Sequence, residues 1–272
     1  MSETTFYHRV DSPGPETGAE RFRPTEHTVS TWADTMQHGA PPSALLVRAL
    51  ERCEPRTDTR LSRFCVELLG PVPMSKIEVR ARVERPGRQI ELLTAELWAE
   101  GPKGPRAVAR ANAWRLQTLD TSEVAHASDA SLPAPDPDAA PGEEINELFR
   151  ASGYVQTVDW HVVTPPGSPG PASAWMRTRA SLVHGEEMTP LQRVFSVADA
   201  ANGVGARLDA TRWTFINTEL TVHLFRAPRG EWTGVSAESS VGPDGIGMTA
   251  GVLHDVHGPI GRIHQNVLVR PR

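Results

Sequence analysis

Three polar residues in the second half of the chain lie among apolar neighbours, where side chains of these types could activate water. Asp199 lies near the end of a short apolar helix predicted over 190–202, and a carboxylate among apolar residues becomes a stronger base. Asn217 lies at the start of a strand-like run, and Gln265 occupies an inward-facing position of the last such run. Amide side chains can orient water because they both donate and accept hydrogen bonds. A base and two amides at one place would suit hydrolysis of an activated carbonyl group.

Each of these three residues also has a purely structural interpretation. Asp199 could be a surface residue near a helix end, although the helix dipole favours aspartate at the opposite end. Gln265 could point to solvent from an edge strand, although an inward amide would need a polar partner. Asn217 could simply begin its strand.

The elements that would position these residues are repeated in the two halves of the chain. Residues 121–142 contain four prolines and no apolar period, which predicts a linker between domains at 1–120 and 143–272. Each domain is predicted to contain one helix, at 39–53 or 190–202, followed by an antiparallel meander of four strands. The predicted strands cover 61–69, 75–85, 88–99 and 106–116 in the first half, and 213–226, 231–241, 245–255 and 260–269 in the second.

Four short phrases follow one another along this pattern. They are Gln37-His38-Gly39, the run from Phe215 to Arg226, Gly230-Glu231-Trp232 and Asp244-Gly245-Ile246-Gly247-Met248. Together and in this order, they resemble phrases of the type II acyl-CoA thioesterases, more specifically the thioesterase-like double-hotdog proteins common in actinobacteria. The resemblance implies an α+β fold, a tandem (double) hotdog with two antiparallel sheets each wrapped around a central helix. Two unrelated α+β domains are the alternative.

The same resemblance implies which residues would form a catalytic site. That family uses an aspartate on the second helix, a hydroxyl residue at the start of the following strand, and a glutamine on the last strand. Asp199 and Gln265 match the aspartate and the glutamine. Asn217 stands where the family has its hydroxyl residue, and a shift of one residue would put Thr218 there instead.

The start of the first helix is a second place where substrate could bind. His38 and Gly39 precede this helix, whose N-terminal N–H groups could bind a thioester oxygen or a CoA phosphate. A capping or packing role for His38 is the alternative. Aligning the Gly-Pro pairs before the two last strands places Ala111 opposite Gln265, which predicts one site per chain.

Composition excludes several classes of protein. The net charge is −5 and no Lys/Arg run occurs, which argues against nucleic-acid binding. No apolar stretch reaches the roughly 18 residues of a membrane span, and the N-terminus lacks the pattern of a signal peptide. The two cysteines, Cys53 and Cys65, are too few for a disulfide framework. These features predict a cytoplasmic protein.

The predicted function is hydrolysis of acyl-CoA or a related thioester to free acid and thiol, by water activated at Asp199 with Gln265 and Asn217. No metal or other cofactor is expected, and a homodimer of double hotdogs is a further expectation. The alternative is a non-catalytic acyl- or acyl-CoA-binding hotdog protein, because Asn217 replaces a hydroxyl residue.

Other chemistries are disfavoured by the spacing of polar residues. Hotdog hydratases pair an aspartate with a histidine about five residues later, and the residue at that place after Asp199 is Val204. A serine hydrolase would need a Gly-x-Ser-x-Gly elbow, which is absent from the sequence. The ten histidines lack metal-ligand spacing.

Overall fold

The computed structural model describes residues 4–10, 18–135, 149 and 151–272, and these ranges contain fourteen β-strands and three α-helices. The strands are β1 (Thr5–Val10), β2 (Glu20–Pro24), β3 (Thr59–Leu68), β4 (Ile77–Arg85), β5 (Ile90–Gly101), β6 (Gly104–Gln117), β7 (Val158–Thr164), β8 (Ala172–Thr178), β9 (Ser181–Val183), β10 (Trp213–Asn217), β11 (Glu219–Leu224), β12 (Thr233–Val241), β13 (Ile246–Asp255) and β14 (Gly258–Pro271). The helices are α1 (Ala40–Arg52), α2 (Pro190–Ala198) and α3 (Ala201–Val204). Short 3-10 helices lie at Glu26–Thr28, Ser122–Val124 and Val155–Thr157.

The strands that follow each helix lie where apolar and polar residues alternate. In β14 every second side chain from Ile263 to Val269 is buried, including Gln265, while the residues between them are exposed. Alternation of this kind arises because successive side chains of a strand point to opposite faces. The strand predicted over 213–226 is interrupted at Thr218, so β10 and β11 both pair with β14.

The strands form one continuous sheet, in which the sheets predicted for the two halves are joined edge to edge. Its order is β7-β8-β12-β13-β14-β11-β3-β6-β5-β4-β2-β1-β9, with β10 paired to β14. The halves join where β3 pairs with β11 in antiparallel register, with Phe64 opposite Val222 and Val66 opposite Leu220. Separate sheets would have left the N–H and C=O groups of β3 and β11 unpaired at two edges, and the joint removes those edges.

The two halves have the same strand order. The first half runs β3-β6-β5-β4-β2-β1, and the second runs β11-β14-β13-β12-β8-β7. The hairpins β1–β2 and β7–β8 were not predicted. Six of the seven residues of β8 are buried, so this strand shows none of the alternation that marks a strand with one exposed face.

The helices lie in the core and bring the two halves together. Every residue of α1 from Ala40 to Leu50 is buried, including Arg48, whose guanidinium bonds Glu20 and Glu186 at 2.6 and 2.8 Å. Helix α1 packs against α2 as well as against the strands of the first half. One hydrophobic core therefore runs through both halves.

The helix predicted over 190–202 is broken in the structure. Helix α2 ends at Ala198, Asp199 is its C-terminal cap residue, and α3 begins at Ala201. The N–H of Ala200 donates to the carbonyl of Val197 at 3.0 Å, which tightens the last turn. The break leaves the Asp199 carbonyl free to accept a hydrogen bond from outside the helix.

The described part of the predicted linker lies against the second half. Trp175 Nε1 donates to the Pro133 carbonyl at 2.7 Å, and Arg262 pairs with Asp129 at 2.7 Å. Residues 136–142 of the linker lie outside the described residues, and the domain boundaries remain predictions. Within the described ranges, no helix combines the length and apolar character that crossing a membrane requires.

Candidate active site

The Asp199 carboxylate lies between the two halves of the molecule. The residue is 3% exposed, and Asn217 Nδ2 donates a hydrogen bond of 2.7 Å to its Oδ1. Its Oδ2 faces Gly39, the residue before α1. The partial positive charge at the helix N-terminus stabilises a carboxylate in this position.

Gly39 is required here for space. A Cβ at this position would lie 2.6 Å from Asp199 Oδ2 and 2.8 Å from Asp199 Cγ. The backbone of Gly39 has ordinary helical angles, φ −66° and ψ −22°, which any residue could adopt. The missing side chain therefore lets the carboxylate of the second half reach the helix of the first.

Gln265 forms a hydrogen bond to the backbone at the point where α2 ends and α3 begins. Its Nε2 donates to the Asp199 backbone carbonyl at 3.0 Å, an acceptor that the helix leaves unsatisfied. Because the nitrogen is fixed on this carbonyl, Oε1 must point elsewhere, and it is buried without a hydrogen-bond partner among the described residues. Buried amide oxygens are seldom left unpaired, so Oε1 is an unsatisfied acceptor next to Asp199.

Asn217, and not its neighbour, faces Asp199. Asn217 is the last residue of β10 and is buried, and its Nδ2 also lies 3.3 Å from the Glu219 carbonyl. Thr218 is exposed, and its hydroxyl lies 3.5 Å from the Asn266 carbonyl. Thr218 lies between β10 and β11 and is exposed, so the residue that contacts the Asp199 carboxylate is Asn217.

His38 lies beside the carboxylate and stacks on Tyr154, with 3.9 Å between ring centroids and 14° between planes. Its Nδ1 accepts the N–H of Ala40 at 3.1 Å and lies 3.4 Å from Asp199 Oδ2. Burial lowers the pKa of His38, and this outweighs the opposing attraction of Asp199. The ring is therefore neutral at pH 7 and carries its hydrogen on Nε2, which makes Nε2 a donor.

The N–H groups in the first turn of α1 already have acceptors, and the binding role predicted for His38 and Gly39 stays a prediction. The N–H of Ala40 is used by His38, and the N–H of Ser43 bonds the Gly39 carbonyl at 3.1 Å. Pro41 and Pro42, which occupy the positions between them, have no N–H. The first four residues of α1 thus leave no N–H group for an oxyanion or a phosphate.

A cavity of about 530 Å³ opens beside this site. His38, Tyr154 and Ala200 line it at the end next to Asp199. The other walls are mainly apolar and come from the β7–β8 hairpin, from Trp32 and from the segment around Leu208. This volume is within the range of small-molecule sites in proteins.

Two residues of this region were not singled out from the sequence. Tyr154 supports the His38 ring and donates from its hydroxyl to the Ser196 carbonyl at 2.8 Å, and burial raises the pKa of that hydroxyl well above its usual value. Trp160 lines the cavity from β7. Both are single aromatic residues without a motif around them, so only the fold shows their position. In the part of the chain that the structure describes, no three His, Cys, Asp or Glu side chains are grouped to hold a metal ion.

Two family models match the sequence and together span most of it. Residues 28–116 match the acyl-CoA thioesterase N-terminal domain, and residues 123–269 match the acyl-CoA thioesterase C-terminal domain. No curated protein matches the sequence.

Solved structures share the fold over nearly the whole chain. A hot dog fold protein of unknown function from Alicyclobacillus acidocaldarius is 12% identical, with a TM-score of 0.71 over 94% of this chain and 95% of that one. The acyl-CoA thioesterase II TesB2 of Mycobacterium marinum is 14% identical, with a TM-score of 0.66 over 96% and 95%. The tesB protein of Mycobacterium avium subs paratuberculosis is 12% identical, with a TM-score of 0.64 over 95% of each chain. At these identities the likeness shows the hotdog fold.

Proposed function

Because the chain belongs to the acyl-CoA thioesterase family, we propose that it hydrolyses acyl-CoA or a related thioester to free acid and thiol, with Asp199 as general base. The observation that carries this proposal is the buried Asp199 carboxylate, held between Asn217 and the start of α1 beside an apolar cavity. The cavity would take the acyl group, and the thioester carbonyl would lie at its end near His38.

The attacking water is assigned a place between the Asp199 carboxylate and Gln265 Oε1. Water attacks with a lone pair, so both of its hydrogens must be directed away from the carbonyl carbon. The carboxylate would accept the hydrogen that leaves during attack, and the unpaired Oε1 would accept the other. Asn217 keeps the carboxylate oriented through its bond to Oδ1.

The oxyanion that forms during attack needs a donor, and His38 is the proposed one. The N–H groups of Ala40 and Ser43 already have acceptors, whereas His38 lines the cavity and, with Nδ1 accepting from Ala40, would carry its hydrogen on Nε2. A neutral ring can donate without losing its proton. A fixed donor directed at the developing charge stabilises the transition state more than the ground state.

The proposed hydrolysis proceeds in two steps, attack of water and loss of the thiol. The water oxygen forms a bond to the thioester carbon while Asp199 takes one proton, which gives a tetrahedral oxyanion. The oxyanion then collapses, the carbon–sulfur bond breaks, and the proton held by Asp199 passes to the thiolate. The products are a carboxylic acid and a thiol, and the carboxylate of Asp199 is restored.

A binding protein without catalytic turnover is the second candidate, and Asn217 is the observation that favours it. The amide donates to Asp199, whereas a hydroxyl could donate to the carboxylate and accept from water as well. Thiol release from short, medium and long acyl-CoAs tests both functions. Turnover supports the hydrolase, and binding of acyl-CoA without thiol release at any chain length would establish the binding protein.

A further inference from the structure

The stacked rings of His38 and Tyr154 are anchored by two adjacent residues. The N–H of His38 donates to the Thr28 carbonyl at 2.7 Å, and the N–H of Tyr154 donates to the Val29 carbonyl at 3.2 Å. The ring centroids lie 3.9 Å apart and the ring planes differ by 14°. Both backbones are thus tied to one short segment, although the two residues come from different halves of the chain.

The other end of the Tyr154 side chain is tied to the helix that ends at Asp199. The Tyr154 hydroxyl donates to the Ser196 carbonyl at 2.8 Å, in the last turn of α2, where carbonyls have no partner within the helix. Gln265 Nε2 donates to the Asp199 carbonyl at the same helix end. Burial, and after it the charge of Asp199, raises the pKa of the Tyr154 hydroxyl well above its usual value, so the hydroxyl stays protonated and donates at pH 7.

The orientation of the His38 ring decides which of its nitrogens carries the hydrogen. Nδ1 lies 3.1 Å from the backbone nitrogen of Ala40 and 3.4 Å from Asp199 Oδ2. When Nδ1 accepts from Ala40, the hydrogen of the neutral ring is on Nε2. A turn of the ring toward the carboxylate would let Nδ1 donate to Asp199, and Nε2 would then lack the hydrogen that an oxyanion requires.

We propose that Tyr154 is a positioning residue for the hydrolysis, whose ring and hydroxyl together hold the His38 ring in the orientation that keeps the hydrogen on Nε2. The proposal rests on the proposed function, because it takes His38 as the oxyanion donor. Such a role has a large effect on rate, since a misplacement of about 1 Å at a reacting group can cost about 100-fold.

Two substitutions of Tyr154 separate its ring from its hydroxyl. Tyr154→Phe keeps the stack on His38 and removes the bond to Ser196, and it should lower kcat for acyl-CoA about fivefold, the equivalent of one hydrogen bond. Tyr154→Leu removes the stack as well and should lower kcat by about 10- to 100-fold. KM should stay within about twofold of wild type in both, because the fixed ring serves the transition state and not the bound substrate.

A double-mutant cycle tests whether Tyr154 acts through His38. In a His38→Gln background, no imidazole is left to position, so Tyr154→Phe should change kcat by less than about twofold. A fivefold loss in both backgrounds would overturn the proposal, because Tyr154 would then act without His38.

The other tyrosine of the chain provides the matched control. Tyr7 is also fully buried, its hydroxyl donates to Gln37 Oε1 at 2.6 Å, and its ring meets Phe22. Tyr7→Phe therefore removes a buried hydroxyl bond of the same kind, and its urea midpoint should fall as that of Tyr154→Phe does, while kcat stays within about twofold of wild type. Equal losses of kcat in the two variants would show that weakened packing explains the effect, and would overturn the proposal.

A spectroscopic measurement separates this proposal from the proposed function. Nitrogen-15 NMR near pH 7.5 reports which ring nitrogen of His38 is protonated, and the His38 signals are identified by their loss in His38→Gln. Wild type should show a protonated Nε2 and a bare Nδ1, and Tyr154→Leu should shift both signals toward a mixture of tautomers. Tyr154→Phe, which leaves the core filled, should shift them in the same direction but less. Signals unchanged in both variants would overturn the positioning role, whether or not the protein hydrolyses thioesters. Shifted signals in a wild type that releases no thiol would leave the positioning of His38 standing and remove the hydrolase function.

Discussion

The N-terminal ends of the two main helices differ in whether their polar groups satisfy one another. At the start of α2, Thr189 Oγ1 accepts the N–H of Gln192 at 3.1 Å and donates to Glu51 Oε1 at 2.9 Å. Gln192 Nε2 donates to the other carboxylate oxygen of Glu51 at 2.6 Å. At the start of α1, Gly39 has no side chain, and the carboxylate that faces it is Asp199.

We call the first arrangement the α2 junction (Glu51, Thr189, Gln192) and the second the α1 junction (His38, Gly39, Asp199, Asn217, Gln265). Each places a carboxylate from one helix near the start of the other, as the duplicated fold requires. The α2 junction consists of groups that satisfy each other. The α1 junction retains an unpaired amide oxygen and borders a cavity. The repeated strand order therefore provides two similar places, and the unsatisfied groups distinguish the one suited to chemistry.

The last strands of the two halves differ in the same way. Strands β6 and β14 both begin at a Gly-Pro pair and run for 14 residues. The eighth residue is Ala111 in β6 and Gln265 in β14, and both are buried. The Ala111 side chain is a methyl group, which can only pack. The Gln265 amide donates from Nε2 to the Asp199 carbonyl at the end of α2, and its Oε1 is an unpaired acceptor.

The largest expected effect comes from removing the carboxylate charge at the α1 junction. The same change at the α2 junction is its control. Asp199→Asn should reduce thiol release by about 100-fold or more, the scale for losing a general base. Glu51→Gln should change it by less than about twofold, because Glu51 contacts neither cavity nor water site. Kinetics on the best acyl-CoA, with circular dichroism to verify folding, checks both. Equal activities of wild type and Asp199→Asn would remove the assigned base.

Adding one methyl group at the α1 junction should have the next largest effect. Gly39→Ala places a Cβ within 3 Å of the Asp199 carboxylate, which must move away from the helix. A displacement of about 1 Å at a catalytic group costs roughly 10- to 100-fold in kcat/KM. Urea unfolding of Gly39→Ala checks that a loss of activity does not come from a loss of stability. A Gly39→Ala protein with full activity would show that the carboxylate position is not critical.

A smaller effect is expected at the residue that departs from the family pattern. Asn217→Ala should lower activity roughly tenfold, because the carboxylate loses one orienting bond while the donor at His38 remains. Asn217→Thr should retain more activity than Asn217→Ala, since a hydroxyl can again reach the carboxylate. Thr218→Ala is the matched control and should behave as wild type. A larger loss of activity in Thr218→Ala than in Asn217→Ala would show that Thr218, and not Asn217, acts at the site.

The smallest effect concerns pH. Burial lowers the pKa of His38 below the value of about 6.5 that it has in the unfolded chain. As pH falls below about 6.5 the unfolded chain gains the proton first, so the free energy of unfolding decreases by at most about 1.4 kcal/mol per pH unit. His38→Gln should reduce this slope in urea titrations between pH 7.5 and 5.5. His254, whose pKa burial also lowers, remains in both proteins and accounts for part of the slope.

Much of the fold could be predicted because its strands and helices have regular patterns. The strands after each helix alternate, and Pro41 and Pro190 mark the first turns of α1 and α2. The pairing of β3 with β11 has no such local sign, because either edge could have been covered in another way. The break at Asp199 also escaped prediction, since it depends on Gln265, which is 66 residues away along the chain.

The site was predicted in part for the same reason. Asp199, Asn217 and Gln265 could be singled out because each is a polar residue in an apolar pattern. Their contacts, the saturation of the first turn of α1 and the position of Tyr154 follow from how the halves meet. Thr218 could be separated from Asn217 only by the direction of its side chain, which depends on the interruption between β10 and β11.

The edge strand β9 has a consequence for the covalent chain itself. It belongs to the second half but pairs in parallel with β1 of the first, with Thr5 opposite Ser181 and Tyr7 opposite Val183. Arg48 of the first half is likewise bound to Glu186 of the second. The second half thus covers an edge of the first and helps to neutralise its buried Arg48. Two polypeptides cut between residues 121 and 135 should reassemble by fragment complementation, whereas either one alone should not fold.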